Sequence, residues 1–189
     1  MTSIKERPIL FNGEMVRAIL EGRKTVTRHA VKGDGLEWLE GFIPKFVADP
    51  GNGLCPYGIP GDRLWVRETF ACGLCTPSTM AYRATHKPSD LDEGWNEPIK
   101  WTPSIHMPRG ACRILLEITA VRIERLQNIT PEQCKAEGIV QRFPNINDQF
   151  TPRILRGAFL ELWNSVGGDW AANPWVWVVE FKRAIPTSF

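Results

Sequence analysis

Read as apolar and polar positions, the chain breaks into short segments. Within residues 12–21, Met15, Val16, Ile19 and Leu20 recur at one-, three- and four-residue steps, the stripe of one helix face. Asn12 can cap its start, and Gly22 can end it in the left-handed conformation. In residues 23–28, two threonines and a valine favour extended backbone. Residues 33–62 carry Asp49-Pro50-Gly51-Asn52-Gly53 and Ile59-Pro60-Gly61-Asp62, which predict a long loop with one short element near residues 38–46. Residues 63–70 alternate, with Leu64, Val66, Glu68 and Phe70 on one strand face and Trp65, Arg67 and Thr69 on the other.

Residues 79–84 predict a short strand. The four prolines and acidic cluster of residues 86–110 predict a surface excursion. Residues 112–126 form the longest strand-like stretch, and its apolar pattern slips near Leu115-Leu116, as a bulge would make it. Thr130-Pro131-Glu132-Gln133 is a capping box with proline at the first helical position, and that helix stops at Gly138. Thr151-Pro152 opens another helix, with Leu155, Phe159, Leu162, Trp163 and Val166 on one stripe and Gly167-Gly168 at its end. In residues 175–182, Trp175, Trp177, Val179 and Phe181 face one way, and Val176, Val178, Glu180 and Lys182 the other.

Strands and helices do not alternate regularly, which disfavours a doubly wound parallel sheet. The order predicts an α+β fold: a small, mostly antiparallel β-barrel with flanking helices and long loop insertions. A length of 189 residues with 43% hydrophobic content fits a single domain, 1–189, with its own core. Fifteen prolines and sixteen glycines argue against a long helical bundle.

Charge and cysteine usage narrow the class. A net charge of +2 excludes a strongly basic nucleic-acid-coating protein, yet residues 1–32 hold seven Lys or Arg against three Glu. No apolar run approaches the roughly 20 residues of a membrane span. Residues 1–8 are polar and lack a secretory h-region. Five cysteines at irregular spacing do not make a disulfide scaffold. These features predict a cytoplasmic chain with no membrane partner.

Four features could carry chemistry. Gly22-Arg23-Lys24-Thr25-Val26-Thr27-Arg28 crowds three cations into a turn, which suits either a phosphate or a plain solvated surface. Glu68 shares an apolar strand face, so it is either a structural ion pair or a functional acid or base. Cys72-Gly73-Leu74-Cys75 could be half of a zinc site, but the second half is missing; two free thiols and no metal is the better reading. Of the eight tryptophans, Trp163, Trp175 and Trp177 lie on core stripes, Trp65 lies on a strand, and Trp38, Trp95, Trp101 and Trp170 lie in loops, where stacking on bases is open to them.

Together these residues resemble a known family. Gly22-Arg23-Lys24-Thr25-Val26-Thr27-Arg28 after a short amphipathic helix resembles the signature of the ASCH domain, a member of the PUA-like β-barrel superfamily. Pro60-Gly61-Asp62-Arg63-Leu64-Trp65-Val66-Arg67-Glu68 and Asn173-Pro174-Trp175-Val176-Trp177-Val178 resemble ASCH proteins of bacteriophages and prophages. Against the shorter family members, residues 33–60, 86–110 and 139–150 look like insertions. The resemblance implies a barrel with a cleft for RNA or a modified nucleoside and no cofactor. Small bacterial members deacetylate N4-acetylcytidine, which implies catalytic roles for Lys24, Thr27 and Glu68, with Thr27 attacking, Lys24 as base and Glu68 orienting Lys24 or protonating the leaving amine. Arg23, Arg28, Arg67 and Trp65 are the substrate-binding expectations. A non-catalytic RNA- or nucleotide-binding module, or a metal-independent ribonuclease using Lys24, Arg28 and Tyr82, are the alternatives. The sequence does not fix the oligomeric state.

Overall fold

The computed structural model describes residues 3–73, 80–87, 98–140 and 151–184. Seven strands and five α-helices lie in them: β1 (Glu6–Leu10), α1 (Gly13–Leu20), β2 (Val26–Ala30), α2 (Asp34–Trp38), α3 (Pro44–Val47), β3 (Arg63–Arg67), β4 (Phe70–Cys72), β5 (Met80–Tyr82), β6 (Leu115–Arg125), α4 (Pro131–Ala136), α5 (Thr151–Ser165) and β7 (Trp175–Arg183). Five strands form one sheet in the order β1-β3-β6-β7-β2, and β4 pairs with β5 apart from it. The α+β class holds, and the large sheet is antiparallel except where β1 runs parallel to β3. The sequence pattern gave no sign of β1, because only Ile9 of its five residues is buried.

Among the described residues the sheet is open, not a closed barrel. Its β2 edge is capped by chain from α4 instead of by another strand: Thr25 N donates to Ala136 O at 2.8 Å, and Lys24 bridges to Glu137. A sheet edge covered this way has its backbone groups answered without closure.

The irregularity in β6 falls between Ile118 and Ala120, not at Leu115-Leu116. Its position has a packing reason. Leu116 and Ile118 before it, and Val121 and Ile123 after it, all join one core. Even and odd positions share a face only because one extra residue resets the alternation. β7 is buried on both sides. Trp177, Val179 and Phe181 face the core built with β1, β3, β6 and α1. Val176 and Val178 face a second core built with Leu155, Phe159 and Trp163 of α5. Leu162 is only half-buried and Val166 is exposed, since the stripe turns outward as α5 ends.

The stretch 33–60 carries α2, α3 and a 3₁₀ turn at Pro50–Asn52, more structure than the one short element expected. On it Trp38, Phe42 and Phe46 stack on one another at the surface. Trp170 packs against the α5 core, and Trp101 meets His86 edge-on. Trp95, Cys75 and most of the 139–150 insertion lie outside the described residues. No helix among the described residues is long and apolar enough to cross a membrane. They hold no group of three or more metal-ligating side chains.

Candidate functional site

α1 begins where Asn12 accepts from Met15 N at 2.9 Å, and it ends at Gly22, whose φ of +76° reverses the chain. Arg23 N and Lys24 N then both return to Ala18 O, at 2.8 and 3.0 Å. This tight return places Lys24 under the end of α4. There Gly138, at φ +92°, lets the backbone come close: an added Cβ would lie 2.9 Å from Ala18 Cβ and 3.3 Å from Lys24 Cβ.

Lys24 is buried, and its partner is Glu137. The ammonium donates to Glu137 Oε2 at 2.6 Å, to Val26 O at 2.8 Å and to Glu137 O at 3.2 Å. The second oxygen of Glu137 accepts from Arg28 Nη1 at 2.9 Å, and Arg28 Nη2 reaches Glu124 Oε1 at 2.7 Å. Arg122 extends the chain of charges to Glu124 and Glu180. Every member of the inner group has its charge answered, as burial requires. Arg28 Nε is buried without a hydrogen-bond partner, and the guanidinium lies over the Phe159 ring.

Thr27 points to the other side of β2 from Arg28, and it is buried as well. Its hydroxyl lies 3.4 Å from His29 Nε2. His29 stacks on Tyr57, with ring centroids 4.4 Å apart. Burial holds the imidazole pKa down to about 4; Glu137 pulls against this and Lys24 adds to it. His29 is therefore neutral at pH 7.

Glu68 stands elsewhere. It is buried on the face the alternation assigned to it, with only 1% of its surface exposed. Its carboxylate is gripped by Arg113, Nε to Oε1 at 2.8 Å and Nη2 to Oε2 at 2.9 Å. The Arg113 guanidinium lies 4.0 Å from the centre of the Tyr82 ring, whose hydroxyl donates to Ala111 O at 2.9 Å. Of the two readings left open for Glu68, the structure supplies the ion pair, with Arg113 instead of Lys24. The carboxylate that orients Lys24 is Glu137.

Glu68 also borders a cleft of about 450 Å3, lined by Leu10, Phe11, Arg17, Thr69, Arg83 and Ser104 among others. Lys24 Nζ sits 5.5 Å from the ring centre of Phe11, so one aromatic ring relates the Lys24 network to this cleft.

The substrate-binding expectations fall into two groups. Arg23 and Arg28 flank the start of β2; Arg23 is exposed and pairs with Glu21, while Arg28 is locked inside the network. Trp65 and Arg67 lie on β3, with β6 and β7 between it and β2 in the sheet. Arg67 covers the Trp65 ring and donates to Ile105 O.

Sequence reasoning missed Glu137, Arg113 and the role of His29. A signal for Glu137 existed. It lies three residues after buried Cys134, a carboxylate on the apolar side of a short capped helix, the same pattern that singled out Glu68. Arg113 has no local signal, because its partner is 45 residues away.

No family model and no curated protein sequence matches this chain. In structure it is similar to the ASCH domain from Lactobacillus crispatus JV V101, at 12% identity and a TM-score of 0.42, over 95% of this chain and 79% of that one. It is also similar to a DUF984-family protein from Enterococcus faecalis V583, at 9% identity and a TM-score of 0.41, over 100% of this chain and 86% of that one.

Proposed function

We propose that the chain is an ASCH-type protein acting on RNA or a modified nucleoside, and that its reaction is amide hydrolysis of an acylated pyrimidine such as N4-acetylcytidine. One observation carries the reading: a threonine hydroxyl stands beside a neutral, buried imidazole on the strand that follows the Lys24–Glu137 pair. Amide hydrolysis needs a nucleophile, a proton acceptor and oxyanion stabilisation. Thr27 Oγ1 attacks the acyl carbon, and His29 Nε2 takes its proton. The imidazolium returns that proton to the leaving amine, and water then releases the acid from the acyl-threonine. Glu137, whose charge favours protonated His29, steadies the imidazolium while it lasts.

Lys24 takes a different role from the one its motif suggested. Its nitrogen already donates to three acceptors, two of them on Glu137, which favours a positioning role over that of a base. It orients Glu137, and it can redirect its longest bond, to Glu137 O, toward the oxyanion.

The test is release of acetate from N4-acetylcytidine by wild type, Thr27→Ala and Lys24→Ala. Turnover by wild type that both variants lose supports the reading, and absence of wild-type turnover removes hydrolysis of this substrate. A second reading, a non-catalytic RNA- or nucleotide-binding module, draws support from the Arg-lined cleft at Glu68. Binding of single-stranded RNA without turnover would select it. The ribonuclease alternative gains no support from the geometry, because Lys24 and Arg28 are internally paired and the Tyr82 hydroxyl is committed to Ala111 O.

A further inference from the structure

The cleft beside Glu68 has a charge pattern that the hydrolysis mechanism does not use. Arg17 enters it from α1 and Arg83 from the turn after β5, and among the described residues neither meets a carboxylate. Arg17 Nη1 donates to Ala84 O at 2.9 Å, which fixes the guanidinium before any ligand arrives. The one acidic group among the described lining residues, Glu68, is already neutralised by the two-pronged grip of Arg113. Among the described residues the cleft therefore has two positive charges without a carboxylate partner. Thr69 and Ser104 add hydroxyl donors, and Leu10, Phe11 and Ala84 supply an apolar wall. A volume of about 450 Å3 falls in the roughly 300–1,000 Å3 range of small-molecule sites.

We infer that this cleft binds the phosphate of a nucleotide, with its base against Leu10 and Phe11, so that the substrate is a nucleotide or an RNA segment and not a free nucleoside. Guanidinium groups match phosphate oxygens with paired, charge-assisted hydrogen bonds, and a prepositioned arginine loses little freedom in forming them. The inference rests on the proposed function only in naming a nucleotide as carrier of the anion.

Titration calorimetry at low salt with cytidine 5′-monophosphate, cytidine, inorganic phosphate and ribose 5-phosphate tests it. The expected result is that the monophosphate binds at least tenfold more tightly than cytidine or inorganic phosphate. Arg83→Ala should remove most of that preference, and Arg83→Lys should keep part of it. Arg83 is exposed, and a circular dichroism melt checks that its variants fold. Equal affinity for monophosphate and cytidine, including no binding by either, overturns the inference. So does a phosphate preference that survives Arg17→Ala with Arg83→Ala, which would place the anion elsewhere. Inorganic phosphate or ribose 5-phosphate binding as tightly as the nucleotide would reduce the cleft to a general anion site and overturn it too. The hydrolysis reading fails separately: monophosphate binding through Arg83 with no acetate released from N4-acetylcytidine 5′-monophosphate retains this site and removes that reaction.

Discussion

Glu137 and Glu68 are both buried carboxylates held by cations, and they differ in what surrounds them. Glu137 lies in a closed group with Lys24 and Arg28, whose side chains are both fully covered. Among the described residues Glu68 has one ion-pair partner, Arg113, that keeps 28% of its side chain exposed, and it borders an open cleft. The first arrangement joins elements: Lys24 and Arg28 belong to the start of the chain and Glu137 to the end of α4. The second leaves room for a ligand beside it. Burial of a charge therefore does not say whether a site is structural or functional. The exposure of its partners and the adjoining space say more.

The comparison breaks most visibly at Glu137. Glu137→Ala strands the buried Lys24 and leaves Arg28 with Glu124 alone, and losing one partner of a buried pair typically costs about 3–5 kcal/mol. Urea unfolding should show that loss. A change under about 1 kcal/mol would mean that water reaches Lys24 and Arg28, and that the two carboxylates are alike after all.

His29 gives the second effect, through pH. Its folded pKa of about 4 lies below the ordinary 6.5, so between these values the unfolded chain binds a proton that the folded chain refuses. Stability from this group is fully present above pH 6.5 and is lost as pH falls toward about 4. Glu137 faces the imidazole with opposite charge and Lys24 with like charge, so the closed group shapes this titration, and Glu68 should not. Stability curves of wild type and His29→Gln should diverge in steepness across that window. Parallel curves would sink the assignment.

Glu68→Gln comes third. It leaves Arg113 short of a full charge partner, but that guanidinium still reaches water and stacks on Tyr82. The expected loss is about 1–3 kcal/mol, the cost of weakening a charged hydrogen-bonded pair with one solvated side. A loss as large as that of Glu137→Ala in the same urea series would show that the cleft does not soften the site.

How far these sites were legible in the sequence follows from the range of the interactions. Local signals read well. The cap at Asn12, the capping box at Thr130, the alternation that buries Glu68 and the two faces of β7 all involve residues within a few positions of one another. Lys24 and Thr27 stood out through a motif of seven residues. The pairings did not read, because Lys24 meets Glu137 across 113 positions and Glu68 meets Arg113 across 45. Strand β1 stayed hidden for another reason: it lies at a sheet edge, so only one of its residues faces the core. Among the described residues the barrel does not close, because α4, and not a strand, covers β2, a choice of neighbours that no hydrophobic period encodes.

Thr130 tests the support behind Glu137. Its hydroxyl accepts from Gln133 N at 3.3 Å and the Gln133 side chain accepts from Thr130 N at 2.9 Å, fixing the start of α4. Thr130→Ala should cost about 1 kcal/mol, read by thermal unfolding. A cost near zero would mean that the ion pairs alone hold the helix in place.

The smallest effect is expected at Arg23, the exposed neighbour of Lys24. Its guanidinium meets Glu21 at 2.5 Å and donates to Gly138 O at 2.9 Å, yet both Arg23 and Glu21 are solvated. Exposed pairs of this kind are worth roughly 0–1 kcal/mol, so Arg23→Ala should leave the melting curve almost unchanged. One residue along, Lys24→Ala removes a covered cation from the closed group and should shift the curve strongly. The sequence motif presents these two as adjacent basic residues of one cationic turn. If Arg23 touches an RNA phosphate, its removal weakens RNA binding and flattens the salt dependence without touching stability. If Arg23→Ala destabilises the fold as much as Lys24→Ala does, the boundary between exposed turn and closed network is drawn in the wrong place.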